Sequence, residues 1–243
     1  MNKLTDTVKH ILIINVLFFL AKVVLAQRSI DLDVYLALFF PTSSMHYPWQ
    51  YLSHMFMHAN TTHLLFNMIV LYFFGSTVEM LLGTKKFIFF YLFCGLGAAF
   101  LHLGVNYIQY MSLVNNLPLE SDLNMIINEG AKLYFEEGKN WMDPRLGELN
   151  SFLLSPMLGA SGAMFGLYAA AAMLFGEQKI HLYFFIPIKI KYFVAGLIVY
   201  ELYRGVSGTG GNVANFAHLG GALFAYIMLT YWKVDGINKN RWN

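Results

Sequence analysis

"GASGAMFG", residues 159–166, heads a long apolar run. Glycine, alanine and serine let membrane helices pack closely, so the stretch can serve as a contact face between helices. A serine held between glycines can equally expose a nucleophile. Taken alone, Ser161 reads as a packing residue, and the rest of the chain has to decide.

The 243 residues are 57% hydrophobic and only 12% charged, with a mean hydropathy of +0.51. Soluble domains carry about a quarter charged residues, so half that share points to a membrane protein. A net charge of +2 and the lack of a basic tract argue against nucleic acid as a partner. The single cysteine, Cys94, excludes an internal disulfide, and no zinc-type cysteine spacing occurs.

Six runs are apolar enough to span a bilayer, which takes about 20 residues of helix or somewhat fewer. They cover roughly 9–27, 60–81, 86–105, 160–176, 190–205 and 212–232. The fourth begins at the opening stretch, and the fifth is the weakest. Together they predict an all-α membrane protein with a single domain over 1–243. The first run lacks a clear small-residue cleavage site and is interrupted by Lys22, so it does not read as a removable signal peptide. Six spans place both termini on one side, and ten of the sixteen lysines and arginines fall there. Positive loops stay cytoplasmic, so both termini are expected to be cytoplasmic.

Two outer connections are long. Residues 28–59 contain the apolar "DVYLALFFP" and are expected to lie in the membrane interface rather than cross it. Residues 106–150 form a loop in which Leu119, Leu123, Ile126 and Ile127 share one helical face. That helix is expected to cover its own protein rather than flank a substrate entrance.

Polar residues inside apolar spans are expensive, and each needs a reason. In "HMFMHANTTHLLFNM", His63 and Asn67 stand one helical turn apart and share a face. Span six carries His218, and span four carries Ser161 in its first turn. His102, near the outer end of span three, is expected at the interface. A serine hydroxyl needs a base to take its proton, and histidine, with an ordinary pKa near about 6.5, suits that task. Attack on a carbonyl makes an oxyanion that needs preset donors. The first N–H groups of span four, Gly162 among them, lack intrahelical partners and lie at the positive end of the helix dipole. His63 and Asn67 can add donors from span two.

Spans two, four and six must then meet. Gly159, Gly162 and Gly166 line span four, while Gly220, Gly221 and Ala225 line span six. The Gly221 to Ala225 spacing is one that lets helix backbones approach. Neither Glu79 nor Glu201 has a sequence relation to His218, so a Ser-His dyad is expected rather than a triad.

With these residues in view, the chain resembles the rhomboid family of intramembrane serine proteases. "GASG" looks like its G-x-S-G, with Ser161 as nucleophile. "AHLGG" looks like the segment of its base, His218. His63 and Asn67 match its H-x-x-x-N, and Gly75, Glu79 and Gly83 match its G-x-x-x-E-x-x-x-G. The ordered set covers roughly residues 9–232. The resemblance implies a six-transmembrane-helix bundle with a partly membrane-embedded first loop and a water-filled cavity. It implies that Phe165 packs against the base and that His58 is structural. "RGVSGTGGN" would be a cap over the cavity, with span five as the lateral gate. Substrates would be transmembrane helices that unwind locally and are cut near small residues. No cofactor is implied, and the expected setting is a bacterial cell membrane. Trp49-Gln50 departs from the Trp-Arg common in the family, and Ala225 stands where glycine is common.

Other readings carry less. His54 and His58, four apart, could hold a metal on one helix face, but structural histidines are the preferred reading and no metal site is expected. "NTT" at Asn60 matches a glycosylation sequon but abuts span two. A catalytically dead escort for membrane proteins and a histidine-based channel or transporter are the competing functions. The presence of both Ser161 and His218 argues against the first of these.

Overall fold

The structure is a computed structural model that describes residues 4–182, 186–207 and 213–234. The described chain is mostly helical. In order the elements are α1 (Asp6–Ala26), α2 (Leu32–Leu36), α3 (Gln50–Ser53), α4 (Thr61–Val70), α5 (Ser76–Leu82), α6 (Thr84–Asn115), α7 (Glu120–Phe135), α8 (Pro144–Leu153), α9 (Ser161–Phe175), β1 (Lys179–Leu182), β2 (Ile186–Lys189), α10 (Ile190–Ser207) and α11 (Val213–Tyr231). A π turn, Leu71–Gly75, joins α4 to α5 into one continuous rod. All six apolar runs fold as helices, five of them close to their expected bounds and the third longer than expected.

Among the described residues, three helices are long and apolar enough to cross a membrane: Asp6–Ala26, Thr61–Leu82 and Thr84–Asn115. Ser161–Phe175 is apolar but shorter. Helix α1 is apolar all round and mostly uncovered, with Leu17, Leu20 and Val24 more than half exposed. Phe66, Phe73, Phe100 and Tyr226 extend this apolar exterior around the bundle. A belt this wide is suited to lipid rather than water, and the molecule is an integral membrane protein.

Helices α6, α9 and α11 form the packed centre. Their shared core includes Tyr91, Cys94, Ala163, Leu167, Ala170 and Ala225, all buried. Small residues set the spacing. A Cβ added at Gly221 would sit 1.9 Å from the Gly162 carbonyl oxygen, and one at Gly162 would sit 2.3 Å from Ala98 Cβ. Glycine at both places is what allows α9, α11 and α6 to touch backbone to backbone. Glu79 is buried near the opposite end. It accepts hydrogen bonds from Thr5 Oγ1 (2.5 Å) and Thr84 Oγ1 (2.8 Å), tying α1 to the α5–α6 junction.

The helix expected to end near residue 105 continues to Asn115. At about 1.5 Å per residue it is roughly 48 Å long, against a hydrocarbon core of about 30 Å. Its last turns therefore project beyond the apolar belt and carry a second small core. There Ile126 of α7 packs with Leu146, Leu149 and Leu153 of α8, Leu113 of α6 and Phe40. Helix α7 thus covers its own protein, with Leu123 and Ile127 partly buried. Leu119 departs from that face: it precedes the helix and is 63% exposed.

The 28–59 connection is anchored at several points. Lys22 Nζ donates to Asp33 Oδ2 (2.5 Å) and to the His58 carbonyl (2.9 Å). Leu38 pairs with Met157 in an antiparallel bridge. Gln50, fully buried, accepts from the N–H groups of Phe39 (3.3 Å) and Tyr47 (3.1 Å) and donates to the Met45 carbonyl (2.9 Å). The neutral amide thus anchors the loop at the position where the family often carries arginine. Gln50→Ala would strand these buried backbone groups at a cost of about 2–3 kcal/mol. Thermal unfolding in detergent should show the corresponding fall in Tm.

Strands β1 and β2 pair antiparallel, with Lys179 opposite Lys189. Lys189 and Lys191 both donate to Glu177 and hold its carboxyl down to about 2. Because that value is depressed, the clamp persists down through the ordinary carboxylate range. It is lost only as pH falls toward about 2.

Candidate active site

Ser161 is the first residue of α9, and the turn before it aims it. Gly159 has φ 122°, a conformation that disfavours side chains. Its N–H donates to the His54 carbonyl (2.8 Å), so the loop around α3 fixes the approach to the helix. A Cβ at Gly159 would meet His63 Nε2 at 2.8 Å and Ser161 Oγ at 3.7 Å. Glycine therefore leaves open the small space that the serine and the His63 ring both face.

His218 reaches that space from α11. Its Nε2 lies 3.0 Å from Ser161 Oγ, across 57 residues of sequence. The ring stacks flat on Phe165 of α9, with centroids 4.3 Å apart and planes 5° apart. Serine at the first position of α9 and phenylalanine four residues on share one helix face. One helix thus presents the hydroxyl and also holds the plane of the imidazole. For the serine O–H to donate to Nε2, the ring proton must reside on Nδ1.

On the other flank, the Ala59 N–H points to His63 Nδ1 at 3.4 Å, which leaves Nε2–H of His63 directed at the site. His58 meets the His63 ring edge-on, with centroids 5.1 Å apart, and is fully buried behind it. Asn67 is buried one turn further along α4, and its Nδ2 has no partner among the described residues. It does not line the cavity wall itself. His54 and His58 do not share a helix face. A short 3₁₀ turn, His54–Phe56, and an extended Met57 separate them. Among the described residues no group of three metal-ligating side chains occurs.

Ser161, His218 and His63 open into a cavity of about 670 Å³. His102 and Asn106 line it as well. His102 was expected at the interface, but it is buried, and Asn106 Nδ2 lies 2.9 Å from its Nε2. The extra length of α6 is the reason, since it carries both residues up the cavity wall. Glu148, Ser151 and Phe152 of α8 complete that side, so the 106–150 insertion shapes the cavity as well as covering the bundle. The glycine-rich stretch read as a cap lies mostly outside the described residues. Its first part, residues 204–207, is the last turn of α10.

Glu201 was not expected to relate to His218. Its carboxylate Oε1 is 3.2 Å from His218 Nδ1. The contact lies within ion-pair range, but the N–H is not aligned for a hydrogen bond. Asn215 Nδ2 donates to the other oxygen of the same carboxylate. The signal available in the sequence was the carboxylate itself, an expensive group in an apolar helix.

The model of the Rhomboid domain matches residues 46–233. The chain is 29% identical over 187 residues to Rhomboid protease AarA of Providencia stuartii, covering 75% of this chain and 56% of that protein. It is 28% identical over 172 residues to RHOMBOID-like protein 12, mitochondrial, of Arabidopsis thaliana, covering 71% of this chain and 43% of that protein. The chain thus spans about half the length of the curated relatives it matches.

Proposed function

Because the chain belongs to the rhomboid family, we propose that it is an intramembrane serine endopeptidase that cleaves transmembrane segments of other proteins. The observation that carries this reading is the 3.0 Å contact between Ser161 Oγ and His218 Nε2 in an open cavity. Ser161 Oγ attacks the scissile carbonyl carbon while His218 Nε2 takes the hydroxyl proton. The carbonyl oxygen becomes an oxyanion, held by the free N–H groups at the start of α9 and by donors from α4. Collapse breaks the C–N bond. His218 returns its proton to the leaving amine, and an acyl-enzyme on Ser161 remains. Water then adds by the same route and releases the acid. His63 Nε2–H, at the cavity wall, is the first side-chain donor in this scheme, and Asn67 Nδ2, buried one turn behind it, is the second. Gly162 contributes its backbone N–H.

In this reading the chain forms one membrane domain of six spans, with both termini cytoplasmic and the first loop lying partly in the bilayer. The cavity opens toward the opposite face. Substrates are helices with small residues, which unwind easily enough to present an extended bond. The test is purified protein in liposomes with a single-span substrate, the cut site being located by mass spectrometry. Cleavage within or at the edge of the span is expected, and cleavage only in a distant soluble segment overturns the reading.

A further inference from the structure

We infer that Glu201 is a positioning residue for the base, so that the Ser161–His218 pair has an acidic third member supplied by α10. The inference rests on the protease reading above and adds to it a residue outside the two that react.

Glu201 is 7% exposed, on a helix whose neighbours along the chain are largely apolar. A buried carboxylate in a membrane helix is costly unless it is paired. Both of its partners lie on the neighbouring helix α11. Oε1 is 3.2 Å from His218 Nδ1, and Oε2 accepts from Asn215 Nδ2. The amide fixes one oxygen and so turns the other toward the imidazole. Arg204, one turn further along α10, is directed instead at the Tyr200 hydroxyl and ring.

Stacking on Phe165 sets the ring plane of His218 but leaves open which nitrogen carries the proton. With the proton on Nε2, the ring would point a donor at Ser161 and could not accept its proton. A carboxylate beside Nδ1 favours the Nδ1–H form and so keeps Nε2 available. When the serine proton arrives, the same carboxylate faces the imidazolium that forms. Because Glu201 rides on α10 while His218 rides on α11, the seating of α10 on α11 decides whether the base is so oriented.

The test uses the full chain in liposomes with a single-span substrate. Wild type is compared with Glu201→Gln, Glu201→Leu, Glu201→Asp and Ser161→Ala. Glu201→Gln keeps the size of the side chain. Glu201→Leu removes the buried charge and does not burden folding in lipid. Either variant serves if the other fails to fold. For both, kcat is expected to fall at least about tenfold with KM within about twofold, and Glu201→Asp should recover part of the loss. Nitrogen-15 NMR of labelled histidine should show His218 as the Nδ1–H form in wild type and as a mixture in Glu201→Leu. A residue that merely ties α10 to α11 would lower thermal stability and leave kcat and the tautomer unchanged, and that result overturns the inference. Ser161→Ala separates the two levels. If it still cleaves, the protease reading fails. If it is dead while Glu201→Gln and Glu201→Leu keep wild-type kcat, only the role of Glu201 fails.

Discussion

Ser161→Ala is expected to lower the rate of transmembrane-substrate cleavage by at least about 10³-fold, and His218→Ala to do the same. Ser161 Oγ and His218 Nε2 are 3.0 Å apart, and in the proposed reading they act as a unit. The hydroxyl is a poor nucleophile without the base, and the base has no proton to take without the hydroxyl. The double variant should therefore be no worse than either single one, because effects within such a unit do not add. Folding should survive. The serine change removes one hydroxyl at a cavity wall, and the histidine change spares the glycines that join α9 to α11. Thermal unfolding in detergent alongside the cleavage assay separates lost chemistry from lost structure. Additive losses in the double variant would indicate two independent roles.

Gly221→Ala should have the second-largest effect, through a single methyl group. The added Cβ would lie 1.9 Å from the Gly162 carbonyl oxygen. That neighbour is backbone and cannot rotate away, so α9 and α11 must separate. Overpacking of this kind costs about 1–3 kcal/mol, and a clash with backbone belongs at the upper end. The displacement also moves His218 away from Ser161, and a misplacement of about 1 Å at a reacting pair can cost about 10²-fold in rate. Gly104→Ala is the matched control. It lies on an exposed face of α6, where an added Cβ meets nothing within 4 Å. That change should leave cleavage intact and stabilise the helix slightly. Equal losses at the two positions would contradict the close-approach account.

The features legible in the sequence were those whose physical cost is local. Long apolar runs can fold only as helices in lipid, so all six appeared. Ser161, His63, Asn67 and His218 were conspicuous because each is a polar group in a run that otherwise excludes them. The glycines of "GASG" and "AHLGG" gave away the helix contact in the same way, and the structure brings Gly162 and Gly221 together.

What was missed depends on geometry between elements. The extension of α6 to Asn115 is hidden by hydropathy, which drops at Asn106 where the helix leaves the apolar belt. Helix propagation needs only the absence of a breaker, and none stands between Gly104 and Pro118. From that one shift follow the buried place of His102 and the part α8 plays in the cavity wall. Glu201 was visible as a costly carboxylate, but its partner could not be read. Seventeen positions and a helix crossing separate it from His218, and the rotation of α10 against α11 decides whether they meet. Gln50 was read only as a departure from the Trp-Arg common in the family. A buried amide with both a donor and an acceptor can satisfy several backbone groups at once, and here it does.

The central claim is that Ser161 is a nucleophile made reactive by His218. It is tested most directly by exposing the purified protein to a fluorophosphonate and measuring the mass of the intact chain and its peptides. One adduct is expected, located on Ser161, absent in Ser161→Ala and strongly reduced in His218→Ala. An unlabelled wild type, or labelling that persists undiminished in Ser161→Ala, would contradict it.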